Sequence, residues 1–583
     1  MKLKSFLFIG IVSLTLYSCN NSEGSQPSAA KKEAKGGVVY GGTFDFSAND
    51  KIGLLYPPSI VDVHTNYIAS HVYEGLVKFN PKDLSIEPGL AESWTISDDK
   101  LTYTFKLRKG VKFHNDDCFP DGTREVNAKD VKFTFEQLCK KDAYNKLFST
   151  LMKDVVVGAN EMYNGNAGEL KGLKIVDNYT VEITLTKPLS YFLYLLANAG
   201  CYIFPEEAYN KYKEKTFIGT GPFMVPKNIT SNIQNLETVI LVRNDNYYLK
   251  DKHGNQLPYL DTIALHVIDS KKQELKKFMN KELEIVDGLP SESIKDVVEQ
   301  QIADFQNQPP KFVLERVPKM ATQYYDLNIH KDVLSNIKVR KALNYAINKT
   351  KIIDEVLKGE AYGPAVHGIV PPAFKGYDVS KIKGYDYDPE TAKKLLAEAG
   401  FPNGKNFPTL KIELNSGGYK NTKVAFEIQK QLMENLNINV DLEIVDFSQK
   451  MEDEQMLKGD IFRSAWIADF PSPESFLMMF YGKLVPEDIS APSFPNTTRY
   501  QNPKFDELFE KAQITENQEE RFSLLEEAEQ LVINDAPIIP LWYMEDYVMI
   551  HSYVRNFYTN PMGSYNLTRV YFKERTKAID KKD

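Results

Sequence analysis

Three features of the chain predict an α/β fold with mixed sheets and more than one core. Short runs that alternate apolar and polar residues, the period of a half-buried strand, recur between runs of helical period. Glycine, proline and asparagine punctuate both kinds of run. The 583 residues, 42% apolar and 26% charged, supply material for about two to four domains. Strands and helices that interleave along the chain in this way form layered α/β bodies.

The chain begins MKLKSFLFIGIVSLTLYSCN. Two lysines precede an apolar run that is too short to span a bilayer, and a small residue, Ser18, precedes Cys19. Residues 1–18 therefore read as a secretory signal. The order charged, apolar, small, cysteine resembles a bacterial lipoprotein signal, which implies lipidation of Cys19 and a membrane-anchored product. Residues 19–37 (CNNSEGSQPSAAKKEAKGG) are small and polar without hydrophobic period, which predicts a flexible tether. No later segment holds the roughly eighteen consecutive apolar residues of a membrane span.

From residue 38 onward strands and helices alternate. LTYTFKLRKGVKF (101–113) alternates, turns at Lys109-Gly110 and resumes, which predicts a hairpin. AKDVKFTFEQLCKK (128–141) has helical period, with Asn127 placed to cap it. YTVEITLTKPL (179–189) reads as a strand ended by proline, and GTGPFMV (219–225) as a turn entering another. The second half is richer in helix: 335–359, 388–400 with Pro389 in its first turn and Gly400 at its end, and 423–447 as a helix feeding a strand. PKFDELFEKAQIT and EERFSLLEEAEQLVIND are two further helices, and APIIPLWYMEDYVMI is a strand.

Composition excludes several functions. The net charge is −8 and no run of five Lys/Arg occurs, which argues against a nucleic-acid partner. There is no GxxxxGK[ST] loop, no HExxH and no GxSxG elbow, which disfavours a P-loop ATPase, a zincin and a common serine hydrolase. The eight histidines are scattered, and the closest pair, His64 and His71, is better explained by packing than by a metal. Neither a metal nor a cofactor is expected. Cys118, Cys139 and Cys201 form no CxxC, and spacing does not choose a disulfide among them. The 12% aromatic content fits β-rich packing, or an aromatic-lined cleft.

Nine stretches in order resemble the extracellular solute-binding proteins of family 5, the oligopeptide, dipeptide and nickel binders of ABC importers. They include YEGLVKFNPKDLSIEPGLAESW (73–94), YTFKLRKGVKFH (103–114), AKDVKFTFE, GTGPF, NDNYY, PYLDTI, VRKALNYAIN (339–348), YDPETAKKLLAEAG and WIADFPSPESF. The resemblance spans nearly all of 38–583. It implies a two-lobed periplasmic-binding-protein-like fold of type II, with two hinge strands and an extra inserted domain. Lobe I would comprise 38–75, 206–317 and 543–583, the inserted domain 76–205 and lobe III 318–542. The hinge would be crossed near 318–325 and again near 541–547. It further implies a non-enzymatic monomer that captures peptides between closing lobes and delivers them to a permease with separate ATPase subunits. The same fold would serve a chelated nickel, heme or sugar binder, or a sensor. A secreted hydrolase is the reading from outside the family.

The run SAWIADFPSPESFLMMF (464–480) sets one acid, Asp469, in apolar surroundings, where it is costly unless something pairs with it. In peptide-binding members the matching acid pairs with the peptide's α-ammonium. The alternative is an acid that fixes a turn or caps the helix opened by SPESFLMMF, and for the cap Ser472 beside Pro473 is the more natural residue. By the same resemblance Trp466 lines the pocket, and Arg463 is a charged cleft position. Phe447 stands where relatives carry tryptophan, and Glu454 where they carry a base. From the other lobe, Thr65 and Asn66 are expected to approach the ligand.

Overall fold

The computed structural model describes residues 33–228, 233–306, 310–416 and 419–573. The secretory signal, Cys19 and most of the expected tether lie outside them. The tether is shorter at its folded end than expected. Glu33 bridges Val39, and Lys35 gives its N–H to Asn255 and accepts from the Asn255 amide, so 33–37 already pack on the body.

Lobe I is built on a four-stranded sheet. Its strands run Thr43–Ala48, Thr262–Val267, Thr238–Arg243 and Phe223–Met224 in spatial order, with only the first pair parallel. The inserted region holds a second sheet, antiparallel throughout, in the order Ala91–Ile96, Thr102–Leu107, Thr180–Thr184, Leu173–Asp177. Here the expected hairpin is corrected. Thr102–Leu107 pairs with strands on both sides, so the chain beyond Gly110 finds no free edge and makes only a bridge from Lys112 to Glu125. Asn127 does cap Ala128–Leu138, and Asp130 reaches back to the Asn127 N–H to complete a capping box. One continuous core runs through lobe I and the inserted region, from Phe44 and Phe46 to Phe105 and Phe135. The insertion is thus fused to lobe I.

The largest sheet runs from lobe I through the hinge into the second lobe. Its order is Ile285–Asp287, Ile538–His551, Phe312–Leu327, Ile461–Ile467, Leu410–Asn415, Val440–Val445, with Gly363–Pro364 also on Ile538–His551. Adjacent side chains of Phe312–Leu327 enter opposite cores, Tyr324 one and Tyr325 the other, so helices cover both faces. The helix expected over 335–359 is broken. Ile337–Tyr345 ends at Ala346, and Asn348 caps a new turn by accepting from the Lys351 N–H.

Two strands join the lobes, Phe312–Leu327 outward and Ile538–His551 back. They pair antiparallel along nearly their whole length. Pro318 faces Glu545 and Thr322 faces Tyr543, so four steps on one strand match two on the other. This bulge falls where the hinge is expected, and Met320 sits inside it. Away from the hinge the inserted region also touches the second lobe. The Ser190 N–H donates to the Gln513 carbonyl at 2.7 Å, and Lys100 pairs with Glu516 at 2.7 Å. The Tyr191 ring stacks on Phe470 with centroids 4.7 Å apart.

Candidate functional site: a cleft at the hinge

A cavity of about 270 Å³ lies beside the hinge, between the lobes. Its walls come from Val63–Val72 and the chain on either side of that helix, from residues 197–202, from 467–469 at the end of Ile461–Ile467, and from 562–568.

The hinge bulge builds two of these walls. Met320 has lost its ladder partner on Ile538–His551. Its N–H donates instead to the Pro561 carbonyl at 3.0 Å, and its own carbonyl accepts from the Ala468 N–H at 2.9 Å. One residue thereby holds the segment before Asp469 and the segment before Met562. The Val63–Val72 helix is placed from behind by a close backbone approach. A Cβ on Gly219 would lie 2.1 Å from the Val72 carbonyl, so the GTGPF turn admits only glycine there. His71 ties the helix to the last wall. Its Nε2 accepts from the Leu567 N–H at 3.0 Å, which leaves Nδ1 to donate to the Tyr67 carbonyl at 2.7 Å. Burial pushes its pKa down to about 4 and keeps it neutral, so it is a structural residue.

Asp469 lines the cavity. Its backbone N–H donates to the Ser475 hydroxyl at 2.8 Å, but its carboxylate accepts nothing from any described residue. The following helix, Glu474–Leu477, has no side-chain cap, so the capping alternative for Asp469 falls away. The residue is exposed, opening toward the cleft with protein on its other sides. The reduced hydration within the cleft pushes its pKa up from 3.8 to about 6. Ile467, two residues earlier on the same strand face, also lines the cavity and is 63% exposed.

Of the other expected residues, Asn66 lines the cavity, and its side-chain oxygen accepts from the Tyr202 hydroxyl at 3.3 Å. Four do not line it. Thr65 is fully buried one step round the helix, because Asp62 caps that helix and takes both the Thr65 N–H and its hydroxyl. Trp466 alternates to the opposite strand face and packs on Phe494. Arg463 shares the face of Asp469 but sits six residues back, where Gln323 and Asn415 take its guanidinium. Phe447 opens the helix Phe447–Gln455 and is 61% exposed, away from the cavity. Glu454 is buried and paired with Lys450 at 2.7 Å.

Sequence reasoning missed Glu74 and Lys78, which line the same cavity. Both lie in YEGLVKF, where an acid and a base interrupt an apolar run; that interruption was the available signal. Glu74 is buried. One of its oxygens accepts from Tyr247 at 2.8 Å and Tyr248 at 3.0 Å, the other from Thr220 at 3.1 Å. Burial still raises its pKa above the ordinary carboxylate value, against the lowering effect of Lys78 and these hydroxyls.

Among the described residues no group of three His, Cys, Asp or Glu side chains could hold a metal ion, and no helix is long and apolar enough to cross a membrane. Cys118, Cys139 and Cys201 are free thiols.

Residues 85–486 match the model of bacterial extracellular solute-binding proteins, family 5 Middle. The chain is 30% identical to heme-binding protein A of Haemophilus influenzae, over 97% of this chain and 98% of that one. It is 26% identical to the dipeptide-binding protein of Escherichia coli, over 88% of this chain and 92% of that one. Among solved structures it resembles the periplasmic binding protein DppA from Helicobacter pylori in complex with the peptide STSA. The TM-score is 0.73 at 26% identity, covering 92% of this chain and 99% of that one. A family match over more than half the chain, with relatives aligned almost end to end, leads to one conclusion: this chain belongs to the bacterial extracellular solute-binding proteins of family 5.

Proposed function

We propose that the chain is the solute-capturing component of an ABC importer, and that it binds peptides between its two lobes by their free amino terminus. The observation that carries this reading is Asp469, an acid without a partner in a walled cleft beside the hinge. An ammonium group placed there would supply the ion partner that the fold does not, and neutral or anionic termini would be disfavoured. The chain would bind rather than convert its ligand. Closure about the hinge would bury the ligand and present a surface to the permease, with separate ATPase subunits supplying the energy. Export by the N-terminal signal and lipidation of Cys19 would hold this monomer at the cell envelope.

The relative named for heme supports a second reading, in which the same cleft takes heme. The unpartnered Asp469 argues for the peptide, since heme offers carboxylates and no ammonium group to meet it.

The test is a thermal-shift series on the exported protein, refolded to strip carried-over ligand, against pooled di- to octapeptides and against hemin. A ligand at about a hundred times its dissociation constant stabilises by about 2.7 kcal/mol. The expected result is a shift with free peptides that is lost on N-acetylation. A shift with hemin alone would replace the peptide reading with the heme one.

A further inference from the structure

Four charged side chains line the cavity: Asp62, Glu74, Lys78 and Asp469. Two are satisfied by the protein itself. Asp62 accepts from the Thr65 N–H at 2.8 Å and the Thr65 hydroxyl at 2.7 Å. Glu74 accepts three hydroxyls, which fill both of its oxygens. The remaining two carry opposite charge and come from different lobes. Asp469 belongs to the second lobe. Lys78 belongs to the short strand Val77–Phe79, on the side of lobe I and the inserted region.

Lys78 makes no hydrogen bond or ion pair with any described residue. Its cross-strand neighbour is Glu87, whose carboxylate is engaged by the Asn80 amide at 2.6 Å. Glu74 feels the charge of Lys78, but its hydroxyl contacts leave it without need of a direct ion pair. An ammonium group at a cavity wall, unpaired and half-buried, is a receptor for an anion.

We propose that Lys78 receives the carboxylate of the same ligand whose ammonium group meets Asp469. This rests on the peptide reading and narrows it. The ligand is a short peptide, free at both ends, that spans the cleft from one lobe to the other. Its middle meets apolar walls, because Val61, Val63 and Ile467 line the cavity and are 59%, 50% and 63% exposed. The substrate class is therefore short zwitterionic peptides with apolar side chains. Two opposite charges held on separate lobes also give the ligand a reason to favour the closed form, since only there are both ends engaged.

The experiment is calorimetric titration of the whole exported protein with di- to pentapeptides of alanine and leucine, each as free acid and as C-terminal amide. For the unmodified protein the free acid is expected to bind at least about tenfold more tightly than the amide. Lys78→Gln should erase that difference, and Lys78→Arg should keep most of it. If acid and amide bind equally, the proposal is overturned while the peptide reading stands. If Lys78→Gln keeps the preference, or lowers the melting temperature without changing it, Lys78 only balances Glu74 and the proposal is likewise overturned. If no free peptide binds, the peptide reading fails and this proposal fails with it.

Discussion

Glu74 and Asp469 line one cavity and differ in what surrounds them. Glu74 is enclosed and receives three hydroxyl donors from its own lobe, whereas Asp469 is open to the cleft and receives none. Burial raises the pKa of both. The contrast shows how to separate an acid that builds a wall from an acid that awaits a ligand. The first has donors arranged around it by the fold. The second faces the open cleft and has no donor from the fold.

The sharpest way to break this comparison is to remove Glu74. Glu74→Ala leaves Tyr247, Tyr248 and Thr220 without their acceptor, and should cost about 3 kcal/mol of stability, read as a lowered urea midpoint. A neutral result would mean that Glu74 is no wall. Asp469→Asn should do the reverse. Stability near pH 7 should hold or rise slightly, because the ionised carboxylate there opposes folding, while affinity for free peptides falls by about 2 kcal/mol, close to thirtyfold, in calorimetry.

Next in size is a pH effect. Only the ionised Asp469 attracts an ammonium group, and its pKa is near 6, so peptide affinity should fall about tenfold between pH 7 and pH 5. Asp469→Asn should flatten the profile. Stability of the ligand-free protein should move in the opposite sense. A carboxyl whose folded pKa exceeds its unfolded value of 3.8 contributes stability below that value and loses it as the pH rises through about 6. The smallest effect is expected at Thr65. Thr65→Val removes the acceptor of the Gly53 N–H and one bond to Asp62, costing about 1 kcal/mol of stability with no change in peptide affinity.

The fold was legible because its signals are local. Alternation marked the strands, Asn127 and Pro389 marked helix starts, and the two long strands fell where the hinge was expected. Where one element's signal depended on its neighbours, reading failed. Nothing in LTYTFKLRKGVKF reveals that both edges of its first strand are already taken. The site divides in the same way. The place of Asp469 at the cleft was legible because an acid in an apolar run is anomalous by itself. Thr65 and Trp466 each stand one residue from a position that lines the cavity, a step that reverses direction on a strand and turns a helix by about 100°. Arg463 had the right face and lies about 20 Å along the strand from Asp469. The 562–568 wall is about a hundred residues from Asp469 in sequence, and only the tertiary fold brings the two together.

The two backbone bonds of Met320 place the cleft near a fulcrum. When one body swings about an axis, displacement grows with distance from that axis. The rim contacts, Ser190 with Gln513 and Lys100 with Glu516, therefore travel far for a small rotation, and the cleft walls travel little. The jaws can stand ajar at the rim while the groups at the fulcrum still grip. A small ligand held there would command a large outer surface, and that surface would begin to change shape before the ligand is let go.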